Sequence, residues 1–215
     1  MNKTKIVQVG NILIGGGNPI SVQSMTYTDT RDIKSTVRQL KALEDAGVDI
    51  VRLAVLDMDA AKSIKEIKSQ TKIPLIADIH FDYRLALESI KNGIDALRLN
   101  PGNIKDKEKV KEVIKEAKAR DLTIRVGVNG GSLDRAIYKE VSSENMVKSA
   151  GEHIKLMEDL NFTNIKVSLK SSDIKTTIDA NILFRKKYDY PIHLGVTEAG
   201  TLRSSLIKST SALSY

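Results

Sequence analysis

Thr123-Ile124-Arg125-Val126-Gly127-Val128-Asn129 alternates apolar residues with polar or small ones, and so does Asn164-Ile165-Lys166-Val167-Ser168-Leu169-Lys170-Ser171. Alternation with period two marks a strand with two unlike faces. Between the two runs, Ser143–Leu160 places Met146, Val147, Ala150, Ile154 and Met157 on one side at helical spacing, with Ser142 at the N-cap position and Asn145 three residues on. Two strands joined by an amphipathic helix form a parallel pair with a right-handed crossover.

Working outward, the same unit recurs. Strands are expected at Pro19–Met25, Asp49–Val55, Pro74–His80, Ala96–Pro101 and Pro191–Thr197. The segment Asp32–Ala46 carries Ile33, Val37, Leu40 and Leu43 on one face, and Gly47 and Gly93 stand where helices end. The run Lys105–Arg120 mixes basic and acidic residues around Val110, Val113, Ile114 and Ala117, which reads as a solvated helix face rather than a nucleic-acid patch. Strand starts are spaced by about 29 residues, the unit of an eight-fold α/β barrel of ~250 residues. Seven units are legible, the last ending in a helix over Leu202–Leu213, and an eighth would need roughly 30 more residues. The expected fold is therefore α/β, a (βα)8 TIM barrel over residues 19–215 truncated after its seventh unit. Residues 1–18 differ: Lys5–Val9 and Ile12–Ile14 flank Gly10-Asn11 as a β-hairpin placed to cover the barrel floor, and Gly15-Gly16-Gly17 reads as a turn.

The 215 residues are 41% hydrophobic and 28% charged, a globular mixture. No apolar run reaches the ~18 residues of a membrane span, and no signal peptide is visible, so a cytoplasmic location is expected. Cysteine is absent, which excludes disulfides, thiol nucleophiles and thiolate-ligated metal centres built from this chain. The net charge is +7, while aromatics are only 4%, too few for base-stacking platforms.

The strands sort into two faces. Ile76, Leu97, Leu99, Ile124, Val126, Val128, Ile165, Val167, Leu169, Ile192, Leu194 and Val196 make an apolar set expected to pack on the helices. Arg52, Asp78, His80, Arg98, Asn100, Arg125, Asn129, Lys166, Ser168, Lys170, His193 and Thr197 make a polar set expected to face the barrel interior or its mouth, where barrel active sites are built. Arg52, Arg98, Arg125 and Lys166 bring four cations from four strands against Asp78 and, at the rim, Glu198. Burying that excess unpaired costs several kcal/mol per ion, and a bound anion with at least two phosphoryl groups offsets it. The loops Gly195–Thr201, Ser171-Ser172-Asp173 and Asn129-Gly130-Gly131-Ser132 add candidate anion-binding backbone. The Asp78-His80 pair suits orientation or proton transfer by an imidazole. Two histidines and one carboxylate without a further ligand pattern assign no metal. His153 lies mid-helix and reads as a packing or solvent-facing residue.

These residues carry a resemblance. The runs Pro19–Thr26, Ala77–Phe81, Arg98–Asn103, Arg125–Asn129, Lys166–Ser172 and His193–Gly200, in that order, resemble 4-hydroxy-3-methylbut-2-enyl diphosphate synthase, the iron–sulfur oxidoreductase late in the non-mevalonate isoprenoid route. The resemblance implies reductive ring opening of 2-C-methyl-D-erythritol 2,4-cyclodiphosphate with two electrons through a [4Fe–4S] cluster, from ferredoxin or flavodoxin. It implies that Arg52, Arg98, Arg125 and Lys166 hold the diphosphate, with Asn100, Asn129, His193 and Thr197 assisting. Asp78 and His80 would orient the carbon skeleton and hydroxyls, and Glu198 would position the substrate or relay protons. The family binds its cluster through three cysteines and a glutamate in a C-terminal domain absent from this chain, and works as a homodimer in which that domain caps the partner's barrel. This chain is accordingly expected to be inactive alone. One departure stands at Gly130, where the family pattern has serine. The alternatives are a pterin-binding barrel of the dihydropteroate synthase type, a non-catalytic phosphoester-binding module, which would need no Asp78-His80 pair, and a nucleic-acid binder, which suits only the charge.

Overall fold

The computed structural model describes residues 3–80, 82–99 and 107–215. A hairpin of β1 (Ile6–Val9) and β2 (Ile12–Gly15) leads. There follow β3 (Gln23–Met25), α1 (Ile33–Asp45), β4 (Ile50–Ala54), α2 (Met58–Ser69), β5 (Leu75–Ile79), α3 (Tyr83–Lys91), β6 (Ala96–Leu99), α4 (Lys107–Ala119), β7 (Thr123–Asn129), α5 (Ser143–Glu158), β8 (Ile165–Lys170), α6 (Ile174–Lys187) and α7 (Leu202–Leu213). Strands β3 to β8 pair in chain order, every pair parallel. This is the α/β barrel-type architecture that the alternation predicts. No described helix is long and apolar enough to cross a membrane.

Local chemistry sets the helix starts. The carboxylates of Asp32, Asp57, Asp82 and Asp173 and the hydroxyls of Ser142 and Thr201 each accept a hydrogen bond from a backbone N–H in the first turn of α1, α2, α3, α6, α5 and α7 respectively. The outer faces of the strands (Leu53, Ala77, Ile79, Leu97, Leu99, Val126, Val128, Val167, Leu169) pack with Leu40, Ile64, Ile90, Val113 and Ile154 of the helices in one core. A second, smaller cluster lies on the inner face: Val9 of the hairpin with Ile50, Ile76 and Ala96, and Ile12 and Ile14 against them. The hairpin thus plugs the floor, as expected, and Thr123 Oγ1 donates to the Gln8 carbonyl at 2.6 Å to pin it to β7.

Two expectations need correction. Ile76 does not face the helices; it is the register partner of Arg52 and Ala96 and belongs to the inner cluster, because a residue two positions from Asp78 must share its face. The strand expected at Pro191–Thr197 contributes a single parallel bridge, Val167 to Ile192, with Val167 N–H donating to the Pro191 carbonyl and His193 N–H to that of Val167. Beyond it Gly195 turns to φ 155°, and Leu194, expected against the helices, is 54% exposed. The other strand expectations hold with ends trimmed by a few residues, except that the end of Ala96–Pro101 lies outside the described residues. Beside the sheet edge, a cavity of about 730 Å³ opens between α6, α7 and this segment, lined by Ile178, Ile182, Ile192, Leu194, Leu213 and Tyr215. Helix α7 buries none of its residues.

The inner placement of Ile76 has a measurable signature. Ile76→Ala should cost about 2–4 kcal/mol, and Val9→Ala less. Because the two side chains share one small cluster, urea unfolding of the double variant should reveal a coupling of at least about 0.5 kcal/mol. Strictly additive losses would return Ile76 to the helical face.

Candidate functional site

Strand register builds the site in rows. Asp78 lies opposite Arg98, Arg98 opposite Arg125, and Arg125 opposite Lys166, so four adjacent strands place four charged residues side by side. One row nearer the floor, Met25, Arg52, Ile76, Ala96 and Thr123 are successive partners. Nearer the mouth, Gly127 faces Ser168 and Asn129 faces Lys170. Asp78, Arg125 and Lys166 are only 4%, 3% and 2% exposed.

Among the described residues one carboxylate serves this group. Asp78 Oδ1 accepts from Arg98 Nη1 at 3.1 Å, and its Oδ2 lies 3.4 Å from Arg52 Nη1. The half-exposed His80 brings Nε2 to 3.6 Å from Oδ1. Among the described residues no carboxylate stands within ion-pair distance of Arg125, Lys166 or Lys170, and the buried Nε atoms of Arg98 and Arg125 have no hydrogen-bond partner. Gly127 makes the close packing possible: a Cβ there would lie 3.1 Å from Arg98 Nε and 3.4 Å from its Nη2.

Burial and like charge act together on these groups. Burial pushes the Lys166 ammonium down to about 7, with Arg125 adding to it. Burial likewise takes Lys170 down to about 8, helped by Arg125, Arg52 and Arg98. Arg125 falls to about 9, from burial first and then Arg52 and Arg98, and keeps its proton at neutral pH. The His193 imidazole is held far below its ordinary value by burial and then by Arg125, Lys170, Lys166 and Arg52, so it is neutral at physiological pH and faces the same cluster. Lys170 is a fifth cation. Its spacing from Lys166 and Ser168 places it on the polar face, although the sequence alone does not mark it as a holder of the anion.

The loops are less open than their sequences suggest. The Asp173 carboxylate itself caps α6, and the Thr201 hydroxyl caps α7. Gly130–Ser132 forms a single 3-10 turn, and a Cβ at Gly130 would come 2.8 Å from Val141 Cγ1 and 3.3 Å from Ser171 Oγ, so Val141 fills the space a serine would need. Glu198 holds a left-handed backbone, φ 51°, and its Oε1 lies 3.0 Å from where a Cβ on Gly131 would be. Strain of this sort at a non-glycine residue points to a constrained role. Thr197 is half-buried, its N–H toward the Ser171 carbonyl at 3.5 Å. Asn129 is half-buried at the end of β7. Asn100 lies outside the described residues. His153 is partly buried in α5, away from this row, and burial lowers its pKa.

Two outcomes follow from this charge balance. A polyanion against Lys166 favours the charged amine and raises its pKa. Pyrophosphate binding at pH 8 should therefore draw a proton onto Lys166, and at pH 6, where the amine is already charged, it should not. Calorimetry in buffers of different ionisation enthalpy measures the uptake, and Lys166→Met subtracts the ligand's own titration; equal proton counts in the two proteins at pH 8 would refute the buried-amine account. Separately, Asp78→Asn strips the counter-charge from Arg52 and Arg98. It should destabilise the free chain by about 3–5 kcal/mol while tightening pyrophosphate binding, and a folded variant with weaker binding would contradict the assignment.

Comparison with known proteins gives the family and the fold. Residues 4–215 match the family model described as the GcpE TIM-barrel domain. The chain is 55% identical over 211 residues to the 4-hydroxy-3-methylbut-2-en-1-yl diphosphate synthase (flavodoxin) of Clostridium acetobutylicum, and 54% identical to that of Ruminiclostridium cellulolyticum, covering 97% of this chain and 60% of each relative. The chain thus spans about three fifths of the length of the curated relatives it matches. Among solved structures it resembles dihydropteroate synthase from Yersinia pestis (TM-score 0.69, 9% identity, 96% of this chain and 85% of that one). It also resembles the 7,8-dihydropteroate synthase of Vibrio fischeri (TM-score 0.67, 12% identity, 97% and 88%). Identities that low speak for a shared fold alone, so the pterin-binding alternative is not favoured. By a family match over nearly its whole length, the chain belongs to the GcpE TIM-barrel family.

Proposed function

We propose that residues 19–215 are the substrate-binding barrel of a 4-hydroxy-3-methylbut-2-enyl diphosphate synthase, and that the mouth takes 2-C-methyl-D-erythritol 2,4-cyclodiphosphate. The observation that carries this reading is the inner face itself: Arg52, Arg98, Arg125, Lys166 and Lys170 answered, among the described residues, by the one buried carboxylate of Asp78. A ligand with two phosphoryl groups supplies the missing negative charge, and guanidinium forks match its oxygens.

Within this reading each group has a task. Arg98, Arg125 and Lys166 hold the phosphoryl oxygens from one row, Lys170 and Asn129 from two rows above, and Arg52 from below. Asn100 and Thr197 assist. Asp78 keeps Arg52 and Arg98 oriented, and with His80 it sets the substrate's carbon skeleton and hydroxyls. His193, neutral among cations, exchanges hydrogen bonds with the ligand without adding charge. Glu198 positions the substrate or relays a proton at the rim.

The family's reaction uses a [4Fe–4S] cluster, whose ordinary ligands are thiolates. The chain has no cysteine, and among the described residues no group of His, Asp and Glu converges as metal ligands. The residues present do not fit the cluster. In this reading the cluster, the flavodoxin or ferredoxin donor and the homodimer belong to the complete enzyme. With no cysteine to supply thiolates for the cluster, this chain alone is expected to lack reductase activity.

The chain should bind pyrophosphate in preference to orthophosphate. Arg98→Met and Arg125→Met should each weaken pyrophosphate by about 1.5–3 kcal/mol, the range for hydrogen bonds to charged groups. Titration calorimetry with both anions decides, and unchanged pyrophosphate affinity in both variants would overturn the proposal.

A further inference from the structure

Arg52 joins the inner apolar row to the charged row above it, and two unlike neighbours hold it. Its Nη1 lies 3.4 Å from Asp78 Oδ2. Its Nε and Nη2 both donate to the thioether of Met25, at 3.2 and 2.9 Å from Sδ. Met25 is the direct register partner of Arg52 across the β3–β4 pair, so the contact is built into the sheet rather than made by a wandering side chain. Three nitrogens of one guanidinium are thereby oriented, and the remaining N–H bonds on Nη1 and Nη2 are left for a ligand.

Resting on the anion-site reading above, we infer that Met25 is a positioning residue: its sulfur fixes the Arg52 guanidinium for the bound polyanion without cancelling its charge. The choice of a thioether has a physical logic. Sulfur is a weak, neutral acceptor. A carboxylate in its place would hold Arg52 more firmly but would neutralise one of five cations and compete with the anion. A leucine would fill similar space and accept nothing, leaving Nε as bare as the Nε atoms of Arg98 and Arg125. With two of the three guanidiniums already short of partners, Met25 is the contact that keeps Arg52 from joining them.

The test compares Met25→Leu and Met25→Gln in the full chain. Pyrophosphate affinity is read by calorimetry, solvent exchange of the Arg52 Nε–H by 15N NMR, and folding by thermal melts. Met25→Leu should remain folded, lose roughly 3- to 10-fold in affinity, the effect of one modest hydrogen bond, and exchange its Arg52 Nε–H faster. Met25→Gln carries an acceptor of similar reach and should restore both. A purely space-filling methionine reverses the order, with Leu harmless and Gln damaging, and that result would overturn the inference, as would wild-type behaviour of Met25→Leu in both readouts. Absence of pyrophosphate binding by the wild-type chain would instead overturn the anion site and Met25's role with it. The two failures are distinct, since in the first the wild type binds and the leucine variant binds equally.

Discussion

Asp78 Oδ1 and Oδ2 take one guanidinium each, Arg98 at 3.1 Å and Arg52 at 3.4 Å, from a position almost wholly out of water. The rest of the inner face depends on that division of one negative charge between two cations. Among the described residues Arg125, Lys166 and Lys170 receive nothing comparable, and their lowered pKa values record the cost. A structure optimised for stability alone would place more acids here or fewer bases. The imbalance persists because strand register leaves the side chains no other direction to point and because the apolar layers supply the stability. A site neutralised by its own acids would have to be stripped of them before a polyanion could enter.

The scaffold serves this arrangement from two sides. Outside, the helices cover a continuous apolar face and fix which residues turn inward. Below, the hairpin sets Val9 against Ile50, Ile76 and Ala96, so an apolar cluster forms the base beneath the charged row. Short strands with side-chain caps at the helix starts then deliver the charged residues to one level. The vacancy of a side chain at Gly127 matters as much as any residue present, since Arg98 lies across that position.

Much of this was legible in the sequence, and the parts that were not have definite reasons. The alternation in Thr123–Asn129 and Asn164–Ser171 gave the phase of β7 and β8 directly. Leu75-Ile76-Ala77 is apolar on both faces, so composition left its phase open and only the parity of Asp78 could have settled it. Pro191–Thr197 has the composition of a strand, but pairing depends on neighbours that no local pattern encodes. The loop Ser171-Ser172-Asp173 read as an anion site because caps and anions use the same backbone N–H groups, and only geometry shows that Asp173 takes the place itself. Lys170 was visible by spacing, whereas the turn of Arg52 toward the sulfur of Met25 was not, because a methionine in a strand announces packing rather than hydrogen bonding.

The plugged floor has a consequence for how a ligand arrives. A cluster of cations above an apolar base and in front of a helix-covered sheet has its field pushed away from that low-dielectric material toward the open side. A polyanion would feel that funnel before touching any residue. Its capture rate should then answer to ionic strength far more than its escape rate does, which makes the uncharged hairpin a contributor to the speed of binding although it never meets the ligand.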